Sequence, residues 1–297
     1  MSTAILGCGL IGAAVRARLA GAGHPVWTVS RSAGPDPGAA ATHLRHDLSV
    51  PAERAALRDE LCRRAPRCIV LTHGPSDVSW IEDHPEAAGE VHVGVAETLA
   101  ALGATTRAQL LMVSTDNVFS GRQGHRRPSD RIEPHNAYGR IKARAERVVL
   151  AAGGRVLRVS LVYGDAGPAH RATYAQRCLT AATAGEAFRA PVDQSFTPVH
   201  VDDVANVVAA IAQTHAASAG VEHLAGPQEL SRYDFARLAY TVAGADPNLV
   251  RPCLRRDTTW ASRPRYSSLS SSDFSALVPG AWPPATPTEG LRRMVGA

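Results

Sequence analysis

Lysine is almost missing from this chain: of its 32 Lys+Arg residues only Lys142 is lysine. Arginine richness of this kind looks like the drift of a GC-rich genome, so a surviving lysine points to a place that needs a compact ammonium rather than a planar guanidinium. No run of about 18 apolar residues is present, which argues against a membrane-spanning helix. The opening residues, Met1-Ser2-Thr3-Ala4-Ile5-Leu6-Gly7, lack the basic stretch of a signal peptide, and a cytoplasmic protein is expected. Five cysteines (Cys8, Cys62, Cys68, Cys178, Cys253) form no C-x-x-C pair, which argues against a disulfide framework or a zinc site and fits a reducing compartment. The histidines show no H-E-x-x-H spacing, and most are expected at the surface or in loops. A basic stripe interleaved with aromatics is also missing. Although the net charge is +5 and the pI about 9.2, bases alternate with acids, so nucleic acid is not the expected partner and an anionic small molecule is.

What is there suffices for a substantial core. Hydrophobic residues are 45% and charged residues 20% of 297, which allows one large domain or two unequal ones. Strand-like apolar runs at 3–6, 25–29, 42–46, 68–72, 109–114 and 155–160 alternate with helical stretches at 11–20, 53–64, 90–102 and 138–152. That alternation predicts an α/β fold: a Rossmann-type doubly wound parallel sheet with a smaller C-terminal α/β substrate domain. The expected division is 1–162, with a returning segment near 192–215, and 163–297 for the substrate. Trp80, Trp260 and Trp282 read as packing residues. The arginine-rich stretch 121–127 reads as a lid or surface loop, with or without contact to an anionic substrate.

Gly7-Cys8-Gly9-Leu10-Ile11-Gly12 is a G-x-G-x-x-G placed between the first strand and the first helix. Gly7 suits the tight turn, Gly9 allows a pyrophosphate to approach the backbone, and Gly12 lets the helix pack on the strand. The helix N-terminus offers free N–H groups to the phosphates. An NAD-preferring fold carries an acidic residue after the second strand; here stand Ser30-Arg31-Ser32, which suit the 2′-phosphate of NADP. A solvated surface arginine is the other reading. Asp47, after the third strand, suits either the adenine amino group or an ordinary turn.

Thr115 ends the fifth strand, and Tyr138 and Lys142 lie at i and i+4 of the following helix, on one face. A phenol titrates near 10, too high for easy proton exchange, and a neighbouring ammonium lowers it. The Thr115 hydroxyl at the strand end is placed to hold a substrate oxygen. These three are the candidate catalytic residues for reduction of a carbonyl, with Tyr138 and Lys142 also contacting the cofactor; a helical surface pair is the plain alternative.

The segments Val113-Ser114-Thr115-Asp116-Asn117-Val118-Phe119-Ser120-Gly121, Tyr138-Gly139-Arg140-Ile141-Lys142-Ala143-Arg144-Ala145-Glu146 and Leu157-Arg158-Val159-Ser160-Leu161-Val162-Tyr163-Gly164 resemble the extended short-chain dehydrogenase/reductase family, most of all its dTDP-4-dehydrorhamnose reductase branch. The stretch 193–205, His223-Leu224-Ala225-Gly226 and the Arg-Pro-containing stretch 262–269 extend the likeness over nearly the whole chain. The resemblance implies an NADPH-dependent reductase of a nucleotide-activated keto-sugar, usually a homodimer. It implies that Thr72, His73 and Gly74 join the cofactor site and that Asp116, Asn117, Leu161 and Arg263 face the substrate, Arg263 toward a diphosphate. The branch usually has Tyr where Asn117 stands and often Trp where Leu161 stands. His92 is the nearest match to an Asn that supports the lysine, and Thr72-His73-Gly74-Pro75 replaces an Asn-Ala-Ala run. A 4,6-dehydratase is disfavoured, because Asn117 cannot serve as a base. An epimerase, or a non-catalytic NADP-binding regulatory subunit, is the alternative.

Overall fold

Ala4, Ile5 and Leu6 are fully buried in succession, which only a strand covered on both faces permits. They belong to β1 (Thr3–Leu6), the centre of the sheet in this computed structural model, which describes residues 2–32, 41–103, 106, 108–167, 171–214, 219–260 and 262–296. There follow α1 (Leu10–Gly21), β2 (Val26–Ser30), β3 (Ala41–Arg45), α2 (Pro51–Arg64), β4 (Cys68–Leu71), α3 (Val78–Asp83) and α4 (Pro85–Gly103). Then come β5 (Gln109–Thr115), α5 (Ala137–Ala151) and β6 (Arg155–Val159). The rest of the chain adds β7 (Val162–Tyr163), α6 (Tyr174–Thr183), β8 (Phe188–Pro191), β9 (Ser195–Phe196), β10 (Val199–His200) and α7 (Val201–Gln213). It ends with β11 (Gly220–Leu224), β12 (Leu230–Ser231), α8 (Arg232–Val242), β13 (Val250–Cys253) and α9 (Pro287–Val295).

Seven strands form one parallel sheet in the order β11-β6-β5-β4-β1-β2-β3. The expected Rossmann-type doubly wound sheet is therefore present. Ile5 packs with Val15 and Leu19 of α1 and with Val204, Val208 and Ile211 of α7 on one face. Ala4 and Leu6 pack on the other face with Leu57 and Leu61 of α2, Leu99 of α4 and Val149 of α5. A separate aromatic cluster around Tyr174, Phe196, Phe235 and Tyr240 forms the core of the smaller, C-terminal part.

All six anticipated strands form, with ends displaced by a residue or so. The seventh, β11, was not anticipated, because Gly220-Val221-Glu222-His223-Leu224 carries two polar residues in five. Both find partners on β6: Glu222 pairs with Arg155 at 2.6 Å and His223 meets Arg158. Tertiary contacts thus supply what local pattern does not show. Most histidines are expected at the surface or in loops, yet His92, His200 and His223 are buried. Trp80 departs the other way: it is 40% exposed and stacks on His84 instead of packing in a core. Trp282 does pack, edge-on against Phe274.

The stretch 121–127 is docked rather than detached. The Arg126 N–H donates to Ser268 O, the His125 N–H donates to Ser268 Oγ, and the His125 ring meets the Glu229 carboxylate.

Candidate active site

The crevice opens where the loops after β1 and β4 diverge, the switch point at which such sheets bind ligands. The three loop glycines separate by what a side chain there would strike. Gly7 has φ +99°, and a Cβ would lie 2.7 Å from the His73 backbone. At Gly12 it would lie 1.9 Å from Gly7 O, so α1 sits directly on the turn. At Gly9 it would meet nothing within 4 Å. Gly9 is also the N-cap of α1 and provides no side chain to cap the first-turn N–H groups. These groups therefore remain directed at the opening, where they fit a pyrophosphate. Thr72 Oγ donates to Leu6 O and Gly7 O, tying the β4 loop to the glycine turn.

A cavity of about 480 Å³ runs from this turn to the smaller lobe. Gly9, Leu10 and Ile11 line it at one end, beside Thr72, His73 and Gly74. Thr115, Asp116, Asn117, Tyr138, Lys142 and Leu161 line its middle, and Arg263 its far end. Gly7 and Gly12 lie behind this wall as packing residues. Ser30, Arg31, Ser32 and Asp47 are not part of the wall either. Arg31 is exposed after β2, in a turn fastened from β3 by Arg45 Nε donating to Arg31 O and by His43 Nε2 against Ser32 O. Ser30 Oγ donates to Ser32 O within the same turn. Asp47 makes a turn: its Oδ1 accepts from Ser49 N and Ser49 Oγ.

Tyr138 reaches Thr115 because α5 begins unusually close to the end of β5. Asn136 caps the helix by accepting from Gly139 N at 2.7 Å, and a Cβ on Gly139 would lie 2.0 Å from Asn117 O. Any larger residue at 139 would push the helix, with Tyr138, away from the strand. The phenol of Tyr138 lies beside the Thr115 hydroxyl, which favours its ionised form. Asn117 is committed to orienting its neighbours. Its Nδ2 donates to Thr115 Oγ at 3.0 Å and Asp116 Oδ1 at 2.8 Å, while its Oδ1 accepts from Asn136 Nδ2. Its amide therefore aligns the threonine, although it also faces the cavity.

The electrostatics differ from expectation at Tyr138. Burial, then the Asp116 carboxylate, raise the phenol above its ordinary value, whereas the sequence reading had an ammonium lowering it. Lys142 donates to Val113 O at 2.9 Å, and burial brings its ammonium down to about 8. Asp116 is pushed up to about 6 by burial, against hydrogen bonds from Thr115, Ser267, Ser160 and Asn117. His73 is lowered to about 3 and His92 well below its ordinary value, by burial first and Lys142 second. His92 Nε2 is 2.9 Å from Pro75 O, and its ring stands edge-on to Tyr138.

At the far end the sequence reading missed most of the wall. Arg171, Arg177, Arg232, Tyr174 and Trp260 join Arg263 there. Arg232 is buried with its guanidinium 4.6 Å from the Tyr174 ring and 4.8 Å from Trp260, and its Nε donates to Gln194 Oε1. Arg263 is brought down to about 10 by burial and then by repulsion from Arg232. Trp260 packs, as expected, but it also faces the cavity. No sequence motif joins positions as distant as 171 and 263; only the fold does.

Fold and site together define a dinucleotide-binding protein of the short-chain dehydrogenase/reductase type. The chain matches the family of the RmlD substrate binding domain over residues 1–295 and belongs to it. It is 31% identical to a dTDP-4-keto-6-deoxy-D-glucose reductase of Streptomyces niveus over 268 residues, covering 88% of this chain and 85% of that one. It is 27% identical to the methionine adenosyltransferase 2 subunit beta of Bos taurus over 217 residues, covering 71% and 65%. Its fold is that of a dTDP-4-dehydrorhamnose reductase from Bacillus anthracis solved in complex with NADP, with TM-score 0.80, 19% identity, and 99% and 98% of the two chains covered.

The loop geometry predicts opposite outcomes for two glycines. Gly12→Ala should destabilise the fold by about 3 kcal/mol or more in a denaturant titration. Gly9→Ala should leave stability within about 0.5 kcal/mol yet weaken dinucleotide binding at least about tenfold by calorimetry.

Proposed function

We propose that the protein is an NADPH-dependent reductase of a nucleotide-activated 4-keto-sugar. The observation that carries this reading is the convergence of Thr115, Tyr138 and Lys142 on one cavity whose near end is the Gly9 turn and whose far end is an arginine cluster. The likeness to the Streptomyces niveus reductase over most of both chains supports it. The cofactor is held by the α1 N-terminus at Gly9, Leu10 and Ile11, by the Thr72-His73-Gly74 loop, and by Arg31 with Ser30 and Ser32 at the 2′-phosphate. Bound there, the reduced nicotinamide supplies the hydride.

The protein's own part is proton delivery. Tyr138 must arrive protonated, and the upward shift of its phenol keeps it so at neutral pH. The charge left on its oxygen after transfer is met by the Lys142 ammonium and the Thr115 hydroxyl. The Thr115 hydroxyl accepts from Asn117 Nδ2 and donates to Asp116 Oδ1; turned from Asp116 to the carbonyl oxygen when substrate binds, the same proton holds that oxygen. A diphosphate suits the far end, because Arg177, Arg232 and Arg263, beside an Arg171 that is paired with Asp77, leave a surplus of positive charge that a dianion neutralises. The sugar then lies between, against Leu161. Division into a cofactor part, 1–162 with a returning segment near 192–215, and a mainly substrate-binding part, 163–297, follows from this reading.

An intact Thr, Tyr and Lys set favours an enzyme over a non-catalytic subunit like the bovine relative. Tyr138→Phe should lose at least about 100-fold in turnover while NADPH affinity stays within about threefold. NADPH oxidation with a panel of nucleotide keto-sugars, product mass rising by two hydrogens, is the direct test. If no keto-sugar is reduced and a partner enzyme's activity changes instead, the subunit reading prevails. Arg31→Ala should weaken NADPH binding about tenfold or more and leave NADH unaffected. Arg263→Gln should raise KM for the nucleotide-sugar about tenfold or more without altering NADPH affinity.

A further inference from the structure

Glu146 has no place in the chemistry described so far, yet it is completely buried on the same helix as Tyr138 and Lys142, one turn beyond the lysine. A carboxylate is kept in such a place only if its charge is answered. Here it is answered from two strands. Ser114 of β5, the residue between Val113 and Thr115, donates to Glu146 Oε1. Arg158 of β6 donates from Nε to both oxygens, at 3.1 and 3.2 Å, and from Nη2 to Oε2 at 2.8 Å. Both side chains of this ion pair are almost fully enclosed, at 1% and 2% exposure.

Arg158 is held in turn. Its Nη1 lies 3.3 Å from His223 Nε2 on β11 and donates to Pro128 O, and its guanidinium sits over the Phe119 ring. The other His223 nitrogen, Nδ1, is 2.9 Å from Arg126 O, so Nδ1 carries the proton and Nε2 receives the Arg158 N–H. His223, lowered to about 4 by burial and Arg158, stays neutral. The carboxylate is thereby fixed relative to β5, the strand that also carries Thr115 and the carbonyl on which Lys142 rests.

Among the described residues, the other titratable groups around Lys142 provide no counter-charge. His73, from the β4 loop, and His92, from α4, are neutral and are themselves disfavoured by the ammonium. Tyr138, on α5, is held as the neutral phenol, and Asp116 acts on Tyr138. The carboxylate of Glu146 is the group that opposes the effect of burial on the ammonium.

We infer that Glu146, seated on Ser114 and Arg158, is a positioning residue that keeps Lys142 charged beside Tyr138. It touches neither substrate nor cofactor and acts through the lysine alone. The inference rests on reading Lys142 as the working ammonium, but its test requires no substrate, so it can fail without the reductase reading and the reverse.

The scarcity of lysine makes the test direct. Protein grown with [13Cε]lysine has a single lysine side-chain resonance, that of Lys142. In the unmodified protein it should titrate near 8. Glu146→Gln alone strands the Arg158 charge and endangers folding, so the informative variant is Glu146→Gln with Arg158→Met, which removes both charges. There the melting transition should remain cooperative while the Lys142 midpoint falls by about one pH unit or more, a tenfold change in its acidity. A purely structural role would leave the midpoint in place, and an unchanged midpoint in the folded double variant overturns the inference. So does unmodified protein in which Lys142 has already lost its proton at pH 7, a result that needs no variant.

Discussion

An ammonium taken out of water must be given fixed partners, or it gives up its proton. Lys142 satisfies this requirement with the Val113 carbonyl at the end of β5 and a carboxylate one turn along its own helix. The carbonyl is within reach only because α5 lies close against β5. The closeness comes from Gly139, whose missing side chain lets the helix touch Asn117, and from the Asn136 cap that starts the helix at that point. The same contact sets Tyr138 beside Thr115. Backbone proximity and charge placement are thus one constraint, and the middle of the cavity takes its form from it.

The two ends of the cavity answer to different physics. At the near end, polarity comes from backbone: N–H groups at the start of α1, exposed by a glycine that occupies no space. At the far end it comes from side chains, with arginines packed over aromatic rings. Arg232 shows how such a charge is tolerated in a buried place: Tyr174, Phe196 and Trp260 surround its plane, and Gln194 takes one of its hydrogen bonds. A long anionic molecule spanning both ends would lie across the Thr115–Tyr138 pair at its middle.

Much of this was legible from the chain alone, and the reason is locality. The glycine turn, the Tyr138 and Lys142 pair, and the strands of the first half depend on spacings of a few residues. Other features were not legible. The strand Gly220–Leu224 reads as polar until Arg155 and Arg158 are seen beside it. His200 and His223 are buried, although most histidines read as surface or loop residues.

Periodicity and turn chemistry in the sequence determined the order of strands and helices, the dinucleotide turn, and which hydroxyl, phenol and ammonium are available for chemistry. These follow from backbone sterics and side-chain type, which act over one or two helical turns. The tertiary structure decided the charge states. Burial and long-range partners raise Tyr138, lower Lys142 and bring Arg232 and Arg263 together, because solvation and Coulomb energies depend on distances in space and not on separation along the chain.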